Sequence, residues 1–576
     1  MNIADSVIRD ADDEFDAIVV GSGITGGWAA KELTERGFKT LMLERGPMVE
    51  HRKDYSGEGV APWKQENRGK VARELVERDY PIQSKCYAFK ESSRRFFGND
   101  RELPYQTRDG TDFTWIRGNQ LGGKSLLWAR QCYRWSDFDF AANRNDGLAI
   151  DWPIRYDDLE KWYRHVEIHA GISGHADSLE QLPDSEFLEP FEMTSPERAF
   201  KKVVESKFPG RNVIIGRTAN LSKPSALHAA QGRVACQARD QCENGCSFGA
   251  YFSTQSSTLP AALKTGQLRI APNSVVHSLI YDASKQRVRG VRVIDSEDLS
   301  EREYFGKLVF LCASTLGSTQ ILMHSATPEF PNGLANRSGA LGHYLMDHSY
   351  NASVNARVPG FEDEYYKGRR PTGIYVPNFH YKPERYAKDY IRGYSLGGHA
   401  YRQNWRSWRT RDGFGADYKK SLTRAGDWRF ILYAQGEMLP RYDNQVGLHA
   451  TKKDKWGIPQ LEFSCQWSDN ERRMAQGAAD ACVDMFEAAG YDDFHVNVSN
   501  NPPGLGIHEI GTARMGADPK ESVFNGYNQA HDIPNLFCTD GATFCSGATQ
   551  NPSLTFMALT ARAVDYAAAL IKNKKL

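Results

Sequence analysis

The feature that most constrains the fold is a glycine motif near the N-terminus. Residues 15–20, FDAIVV, form an apolar, β-branched run that predicts a strand. Gly21, Gly23 and Gly26 follow with the spacing G-x-G-x-x-G, and WAAKELTERG then has helical periodicity and ends at Gly37. In this order the first glycine turns the chain, the second lets the backbone approach a pyrophosphate, and the third lets helix and strand pack closely. The motif therefore predicts a dinucleotide-binding unit.

A carboxylate follows the second predicted strand, KTLMLERG. Glu44 stands at the end of this strand, where it can accept hydrogen bonds from the hydroxyls of an adenosine ribose that has no 2′-phosphate. The alternative is a glycine turn in an unrelated α/β unit. The motif by itself does not distinguish FAD from NAD.

Length and composition narrow the class of protein. The 576 residues exceed one compact core and predict two or more domains. Lys+Arg and Asp+Glu both total 72, and the mean hydropathy is -0.58. These values argue against a nucleic-acid partner and against a membrane span. The first residues show no charged-then-apolar signal pattern, so we expect the chain to stay inside the cell or to be exported by another protein.

The rest of the chain predicts an α/β protein whose nucleotide-binding pieces are separated in sequence. Residues 51–110 are polar and irregular, 151–171 predict a helix, and 266–312 contain β-rich runs. Short strands alternate with aromatic and Arg-rich loops over 345–470. Near the C-terminus, PSLTFMALTARAVDYAAALI predicts a long apolar helix.

Three later segments carry a resemblance to a known family. Residues 117–140, RGNQLGGKSLLWARQCYRWSDFDF, contain a Gly-Gly-x-Ser turn. HEIGTARMG covers 508–516, and NLFCTDGATFCSGATQNPSLTFMALTARA covers 535–563. Together with the N-terminal motif, in order and over nearly the whole chain, these segments resemble the glucose–methanol–choline (GMC) family of flavin oxidoreductases.

The resemblance implies an α/β fold with a Rossmann-like FAD-binding domain assembled from discontinuous segments, plus an α+β substrate domain with a large sheet. The FAD-binding domain is expected at 14–50, 110–145, 230–340 and 500–576. The substrate domain and cap are expected at 51–109, 146–229 and 341–499, with the cysteine loop at 236–246.

The resemblance also assigns residues to FAD. Gly122, Gly123 and Ser125 are expected to line the flavin, and Val276 to touch the adenine. Asp540 and Gly541 are expected to reach the pyrophosphate and the ribityl chain. The chain departs from the family in two places, because Trp128 stands where members often have Asn and 314–326 matches the second family signature only in part. The turn GGKSLLW contains no histidine, so a noncovalent FAD is implied.

His508 and Asn551 match the catalytic pair of the family. Oxidation of an alcohol needs a base for the hydroxyl proton, and an imidazole is the natural base near neutral pH. The amide of Asn551 can hold the substrate oxygen. The alternative for His508 is a buried, hydrogen-bonded histidine beside a glycine-rich turn.

Three cysteines are clustered in CQARDQCENGCSFG. Cys236, Cys242 and Cys246 have the spacing C-x5-C-x3-C. This spacing is compatible with three kinds of site: a zinc site with a fourth ligand such as His228, a disulfide that leaves one cysteine unpaired, or an iron–sulfur cluster. A branch of sugar and polyol dehydrogenases in the GMC family carries a three-iron cluster on such a loop, and this resemblance favours [3Fe-4S]. The other cysteines are predicted to be core thiols: Cys86, Cys132, Cys312, Cys465, Cys482, Cys538 and Cys545.

Within that branch the chain resembles the glucoside 3-dehydrogenases, through GSGITGGWAAKELTERGFKTLMLERGPMVEH and the cysteine loop. The resemblance implies oxidation of the C3 hydroxyl of glucosides or disaccharides to a 3-keto sugar, with hydride passing to FAD N5 and electrons passing through the cluster to cytochrome c or a quinone. It also implies a small subunit with a twin-arginine signal that carries the complex to the periplasm. The predicted sugar contacts are Gln435, Glu437 and His399.

Two other functions stay open at this point. One is an oxygen-dependent pyranose or glycoside oxidase that releases hydrogen peroxide. The other is a flavin-bearing electron-transfer or scaffold subunit without substrate chemistry, against which His508 and Asn551 argue.

Overall fold

The structure, a computed structural model, describes residues 3–8, 14–364, 370–403 and 413–576. The strands in this part of the chain are β1 Phe15–Val20, β2 Thr40–Leu43, β3 Gln106–Thr107, β4 Ile214–Ile215, β5 Leu268–Ala271, β6 Ser274–Asp282, β7 Arg287–Asp295, β8 Glu301–Leu311, β9 His348–Ser349, β10 Ala352–Val358, β11 Ile374–Val376, β12 Tyr394–Arg402, β13 Trp428–Glu437, β14 Gln445–Lys453, β15 Pro459–Ser464, β16 Asp492–Val498 and β17 Leu536–Cys538.

The α-helices of the same ranges are α1 Ile3–Ser6, α2 Ile24–Glu35, α3 Arg73–Asp79, α4 Asp137–Phe140, α5 Ala142–Asp146, α6 Tyr156–Ala170, α7 Ser195–Lys207, α8 Ala226–Ala230, α9 Leu259–Lys264, α10 Thr315–His324, α11 Gly415–Ser421, α12 Asp469–Ala488 and α13 Ser553–Lys572.

The first sheet is the parallel unit that the N-terminal motif predicted. Its parallel strands run in the order β5-β2-β1-β8-β17. β7 pairs antiparallel with the first half of β8, and β6 pairs antiparallel with β7 at the edge of the sheet. The side chains of β1 are buried at nearly every position, which is typical of a parallel strand covered on both faces. The carboxyl ends of β1 and β2 therefore place Gly21 and Glu44 at the same edge of the sheet.

The C-terminal helix α13 packs against α2 and α6. By length and composition α13 is apolar enough to cross a membrane, but 61% of its most apolar window is buried inside the protein. Leu554, Met557 and Ala561 lie in the hydrophobic core beneath the parallel sheet. Its apolar character thus has an explanation in the packing of this core.

The second sheet is antiparallel, in the order β16-β10-β13-β12-β11-β4, with β9 paired to β13. One face packs on α7 and α12 through a core that includes Leu432 and Ala434. Because side chains alternate along a strand, Tyr433 and Gln435 of β13 point to the other face, where they line a cavity. A small third sheet, β14-β15-β3, completes the strands.

The strands of the two large sheets come from different segments of the chain, and α6 shares a core with the first sheet. The strands of the parallel sheet all come from segments expected in the FAD-binding domain, and those of the antiparallel sheet from segments expected in the substrate domain. Helix α6 lies in 146–229, but its Leu159, Tyr163 and Val166 share a core with β1. The helix has a strong apolar stripe, and its sequence did not indicate which core that stripe would join.

Candidate active site

A cavity of about 1340 Å³ is lined by residues of both large sheets. The predicted site residues that line it are Gly21, Gly23, Glu44, Gly123, Ser125, Cys242, Val276, His399, Gln435, His508, Asp540, Gly541 and Asn551. The predicted residues that do not line it are Gly26, Gly122, Cys236, Cys246 and Glu437. Residues from separated parts of the chain are therefore brought to one space.

The three glycines of the N-terminal motif have different surroundings. Gly21 has a φ of 97°, and a side chain there would overlap the carbonyl of Cys312 at the end of β8. A side chain at Gly26 would overlap the carbonyl of Gly21, so this glycine lets α2 pack on the turn. A methyl group at Gly23 would meet nothing within 4 Å and would enter the cavity. Among the described residues no side chain caps α2, which leaves its first N–H groups available to an anion.

The second glycine turn lies against the first. A Cβ at Gly123 would be 3.2 Å from Gly23 Cα, and Gly122 N donates to Ser22 Oγ at 2.8 Å. Gly122 has a φ of 90°, so it shapes the turn without reaching the cavity. Ser125 Oγ donates to Gly122 O at 2.6 Å and closes the turn.

Glu44 and Val276 lie at one end of the cavity. Glu44 accepts hydrogen bonds from Ser22 N at 3.2 Å and Gly46 N at 2.9 Å, and burial raises the pKa of its carboxyl. Trp456, which sequence reasoning missed, lines the cavity, and its indole Nε1 is buried without a hydrogen-bond partner in the described part of the chain. An aromatic ring with a free donor suits the adenine end of a dinucleotide.

Asp540 and Gly541 connect this end to the catalytic segment. Asp540 accepts from Ser318 Oγ and from Ala542 N, and burial raises the pKa of its carboxyl to about 6. A Cβ at Gly541 would lie 2.5 Å from Thr315 Oγ1 and 2.7 Å from Glu509 O. Glycine is therefore required here for the turn after β17 to approach the segment that carries His508.

His508 and Asn551 meet in the cavity, with Asn551 Nδ2 3.4 Å from His508 Nε2. On the other edge of the ring, His508 Nδ1 is 2.9 Å from Nδ1 of His348, the first residue of β9. Burial, followed by the electrostatic interactions with the His348 ring and the Lys124 ammonium, lowers the pKa of His508 well below its ordinary value. His508 is thus neutral near pH 7, as a base must be. His348 stands in no recognised motif, so the sequence offered no signal for it.

The three predicted sugar contacts have different positions. Gln435 and His399 line the cavity, and the Tyr350 hydroxyl donates to Gln435 Oε1. Glu437 does not reach it, because its buried carboxylate pairs with Arg392 Nη1 at 2.6 Å. The prediction for Glu437 is therefore corrected: although Glu437 follows Gln435 by two residues on the same face of β13, its carboxylate is held outside the cavity by the buried Arg392 guanidinium.

The cysteine cluster lies beside the main cavity. Cys236, Cys242 and Cys246 are half-buried free thiols that border a second cavity of about 30 Å³, and Cys242 also lines the large one. Within residues 3–8, 14–364, 370–403 and 413–576, no three His, Cys, Asp or Glu side chains are arranged to hold a metal ion.

The predicted fourth ligand is engaged elsewhere. The His228 ring contacts Ser225 through Nδ1 at 2.9 Å, and its Nε2 lies 3.1 Å from Ile168 O. A zinc site that includes His228 is therefore not formed. The prediction for the seven other cysteines is confirmed, since all of them are buried free thiols.

The family models decide the relationship. A match described as GMC oxidoreductase covers residues 15–350, and a second with the same description covers 440–560. The chain belongs to the GMC oxidoreductases. This GMC oxidoreductase accordingly binds FAD and oxidises alcohol CH–OH groups, and the predicted fold class is confirmed.

Relatives of this GMC oxidoreductase match it over nearly its full length. It is 27% identical to 2-methyl-1,2-propanediol dehydrogenase of Mycolicibacterium austroafricanum, over 96% of this chain and 95% of that protein. It is 27% identical to the fructose dehydrogenase large subunit of Gluconobacter japonicus, over 96% of this chain and 97% of that protein. The gluconate 2-dehydrogenase flavoprotein of Pantoea cypripedii is 24% identical, over 95% and 92%.

Solved structures share the fold of this oxidoreductase. Formate oxidase of Aspergillus oryzae superposes with a TM-score of 0.61 at 14% identity, over 98% of this chain and 100% of the other. Pyridoxine 4-oxidase of Mesorbium loti superposes with a TM-score of 0.58 at 17% identity, over 96% of this chain and 98% of the other. At these identities the likeness concerns the fold alone.

The cavity residues fit FAD. Gly23 leaves open space beside the uncapped N-terminus of α2, Glu44 stands where a ribose would lie, and Trp456 has a free indole donor at the same end. These groups match the needs of a pyrophosphate for N–H donors, of ribose hydroxyls for an acceptor, and of an adenine for a donor. His508 and Asn551 line the part of the cavity where the flavin ring is expected.

Proposed function

We propose that this oxidoreductase is an FAD-dependent dehydrogenase that oxidises the C3 hydroxyl of glucosides or disaccharides to a 3-keto sugar. Its electrons would pass through an iron–sulfur cluster to cytochrome c or a quinone. The observation that carries the proposal is the pairing of His508 Nε2 with Asn551 Nδ2 in the cavity shared with the two glycine turns.

The pair supplies the proton chemistry of the reaction. A neutral imidazole at His508 can take the hydroxyl proton at Nε2, and Asn551 can donate an amide N–H to the same substrate oxygen. FAD, when bound, supplies a hydride acceptor for the carbinol carbon. Burial of His508 keeps the imidazole neutral so that it can act as a base.

The opposite wall favours a carbohydrate. Because the Tyr350 hydroxyl donates to Gln435 Oε1, the Gln435 amide is oriented and its Nε2 donor has no partner within the described residues. Tyr433, Tyr375 and Tyr401 also line the cavity. A buried free donor beside aromatic rings suits a hydroxylated ring, and fructose and gluconate occur in the names of two relatives.

The cysteine loop supports the electron-transfer part of the proposal. Three thiols border one small cavity, and Cys242 lines both that cavity and the large one. Thiolates of an iron–sulfur cluster bind different iron atoms, so they need not converge on one point as ligands of a single ion do. The Arg130 guanidinium is buried beside Cys242, which would stabilise a negatively charged cluster.

A small subunit belongs to the same proposal. One relative is named as a large subunit, which supports a complex of more than one chain. We infer that a small subunit with a twin-arginine signal carries this chain to the periplasm, and that without such a subunit the chain stays in the cytoplasm.

Iron and acid-labile sulfide analysis of the purified protein tests the cluster, together with its visible spectrum. We expect about three irons per chain and a broad absorption beneath the flavin bands. Cys242→Ser should abolish both the bound iron and the broad absorption while FAD remains bound. Cys86→Ser is the matched control, because Cys86 is a buried thiol outside the cysteine loop. Pure flavin bands in the wild-type protein would contradict the cluster.

The second candidate function is that of an oxygen-dependent pyranose or glycoside oxidase. One observation favours it: among the described residues, no group of three side chains is arranged to hold a metal ion. Turnover of methyl glucoside with cytochrome c or dioxygen as acceptor distinguishes the two. A 3-keto product without peroxide supports the dehydrogenase, and stoichiometric hydrogen peroxide supports the oxidase.

A further inference from the structure

We propose that His348 is a positioning residue that fixes the proton of the His508 imidazole on Nδ1 and leaves Nε2 as an unprotonated acceptor facing the cavity. This inference rests on the proposed role of His508 as the base. Its starting point is the contact between the two rings, whose centroids are 5.0 Å apart at an interplanar angle of 87°.

The first step concerns the proton of His348. Its Nε2 lies 2.9 Å from Ala548 O and 3.2 Å from Gly547 O. Carbonyl oxygens only accept hydrogen bonds, so Nε2 must carry the proton and donate it. A neutral imidazole protonated at Nε2 has a lone pair at Nδ1. Burial lowers the pKa of His348 to about 4, which keeps this ring neutral near pH 7.

The second step transfers that constraint to His508. The two Nδ1 atoms are 2.9 Å apart, and two lone pairs at this distance would repel each other. His508 Nδ1 must therefore carry the proton and donate it to His348. The remaining nitrogen, His508 Nε2, is then unprotonated and carries a lone pair. This assignment agrees with the position of Asn551, whose amide donor Nδ2 lies 3.4 Å from Nε2.

The surroundings of His508 provide no competing acceptor for Nδ1. Asp347 accepts the backbone N–H of His508 at 3.0 Å rather than a ring proton. The Lys124 ammonium is paired with Glu509 at 2.8 Å, and Tyr350 faces the ring at a centroid distance of 6.1 Å. In the part of the chain that is described, the ring nitrogens of His508 bond only to His348 and Asn551.

The arrangement also limits where the proton can go. When Nε2 accepts the hydroxyl proton, His508 becomes an imidazolium whose Nδ1–H is still held by His348. His348 Nε2–H remains bound to the carbonyls of Gly547 and Ala548, which cannot accept a transferred proton at neutral pH. The proton therefore leaves from Nε2 through the cavity.

A pair of variants at position 348 tests the inference. His348→Gln can donate its amide N–H to the two carbonyls and offer its Oε1 to His508, whereas His348→Met has a similar size and offers neither. We expect His348→Met to lower kcat by about 10- to 100-fold with little change in KM, and His348→Gln to keep kcat within about threefold of wild type. The control is His531→Gln, because His531 contacts Ser522 outside the cavity and should leave kcat unchanged.

A direct readout of the tautomer does not depend on turnover. In nitrogen-15 histidine NMR of the wild-type protein, with His508 assigned by its loss in His508→Ala, Nδ1 should be protonated and Nε2 should not. FAD content and thermal unfolding are measured first, and if His348→Met does not fold, the wild-type spectrum and His348→Gln decide the matter.

The outcomes separate this inference from the proposed function. Full turnover by His508→Ala would remove the base itself. Loss of turnover in His508→Ala with wild-type kcat in folded His348→Met would overturn the role of His348 alone. Equal losses in folded His348→Met and His348→Gln, or an Nε2-protonated His508 in the wild type, would also overturn it.

Discussion

His508 is the single side chain on which the proposed chemistry depends, and its properties come from its neighbours. It is half-buried, it contacts His348 on one edge and Asn551 on the other, and Lys124 lies close enough to disfavour its charged form. Loss of solvent and the nearby Lys124 ammonium both favour a neutral imidazole. The motif HEIGTARMG identified the residue, but only the fold shows why it stays unprotonated.

Replacement of His508 by alanine should lower kcat by roughly 10²- to 10⁴-fold, the usual contribution of a positioned base, while FAD remains bound. The measurement is steady-state turnover of methyl glucoside, with FAD content determined from the flavin absorbance. Asn551→Asp serves as a partner variant, because a carboxylate in place of the amide would stabilise the imidazolium, raise the pKa of His508 and leave less neutral imidazole to act as the base.

The pH profile of kcat/KM provides a second test of the same residue. Because the neutral imidazole is the active form and burial lowers its pKa, this form persists as the pH falls. The acid limb of the profile should therefore lie below the ordinary value of 6.5. An acid limb above 6.5 would mean that His508 is stabilised as a cation and is not the base.

Helix α2 and the turn before it illustrate how one element serves both packing and binding. Gly26 brings the helix against the turn, whereas a methyl group added at Gly23 would enter the cavity and meet no protein atom within 4 Å. The same motif thus contains one glycine required by the fold and one that is required only when a ligand is present.

Gly23→Ala and Gly26→Ala should therefore behave differently. Gly26→Ala forces a methyl group into the Gly21 carbonyl and should destabilise the apoprotein by about 1–3 kcal/mol as well as weakening FAD binding. Gly23→Ala has room for its methyl group, so the apoprotein should unfold at the wild-type temperature while FAD affinity falls. Thermal unfolding of the apoproteins and FAD titration measure both effects. Equal destabilisation of the two apoproteins would be the contrary result.

A buried ion network joins the two halves of the molecule. Arg392, just before β12, contacts Glu437 at the end of β13, Asp146 at the end of α5 and Asn143 Oδ1 at 2.9 Å. The side chains of Arg392, Asp146 and Glu437 are all at least 95% buried. Glu437 also accepts from Gly547 N at 3.3 Å, close to the carbonyls that hold His348.

Arg392→Met should destabilise the whole protein by about 3–5 kcal/mol, because it leaves two buried carboxylates without their cation. The matched control is Arg357→Met, whose partner Asp492 is exposed and whose pair should contribute less than about 1 kcal/mol. Denaturant unfolding of the FAD-loaded enzyme measures the difference. Similar losses in the two variants would show that burial of the Arg392 network is unimportant.

Glu437→Gln separates a structural role for Glu437 from sugar contact. Since Glu437 lies outside the cavity, the variant should lower thermal stability with little change in KM, whereas Gln435→Leu should raise KM at nearly unchanged stability. A raised KM without loss of stability in Glu437→Gln would restore the original prediction for this residue.

Features encoded within short stretches were predictable from the sequence. Local periodicity was enough to predict the strand, glycine turn and helix from Phe15 to Glu35, and the long helix near the C-terminus. The resemblance of the ordered motifs to the GMC family then supplied the fold class and the pair His508 and Asn551. The cysteine triplet could be recognised from its spacing, but spacing does not show what it binds.

The sequence by itself therefore determined the nucleotide-binding unit, the family and the residues of the proposed catalytic pair. Tertiary structure alone decided that His348, 160 residues from His508, would contact its ring, that Trp456 would line the cavity, and that Glu437 would pair with Arg392. The physical reason is that periodicity specifies which face of an element is buried, whereas the partner on that face depends on how distant elements pack. A hydrogen-bonded proton, and hence the side of the imidazole that can act as a base, is fixed only after that packing exists.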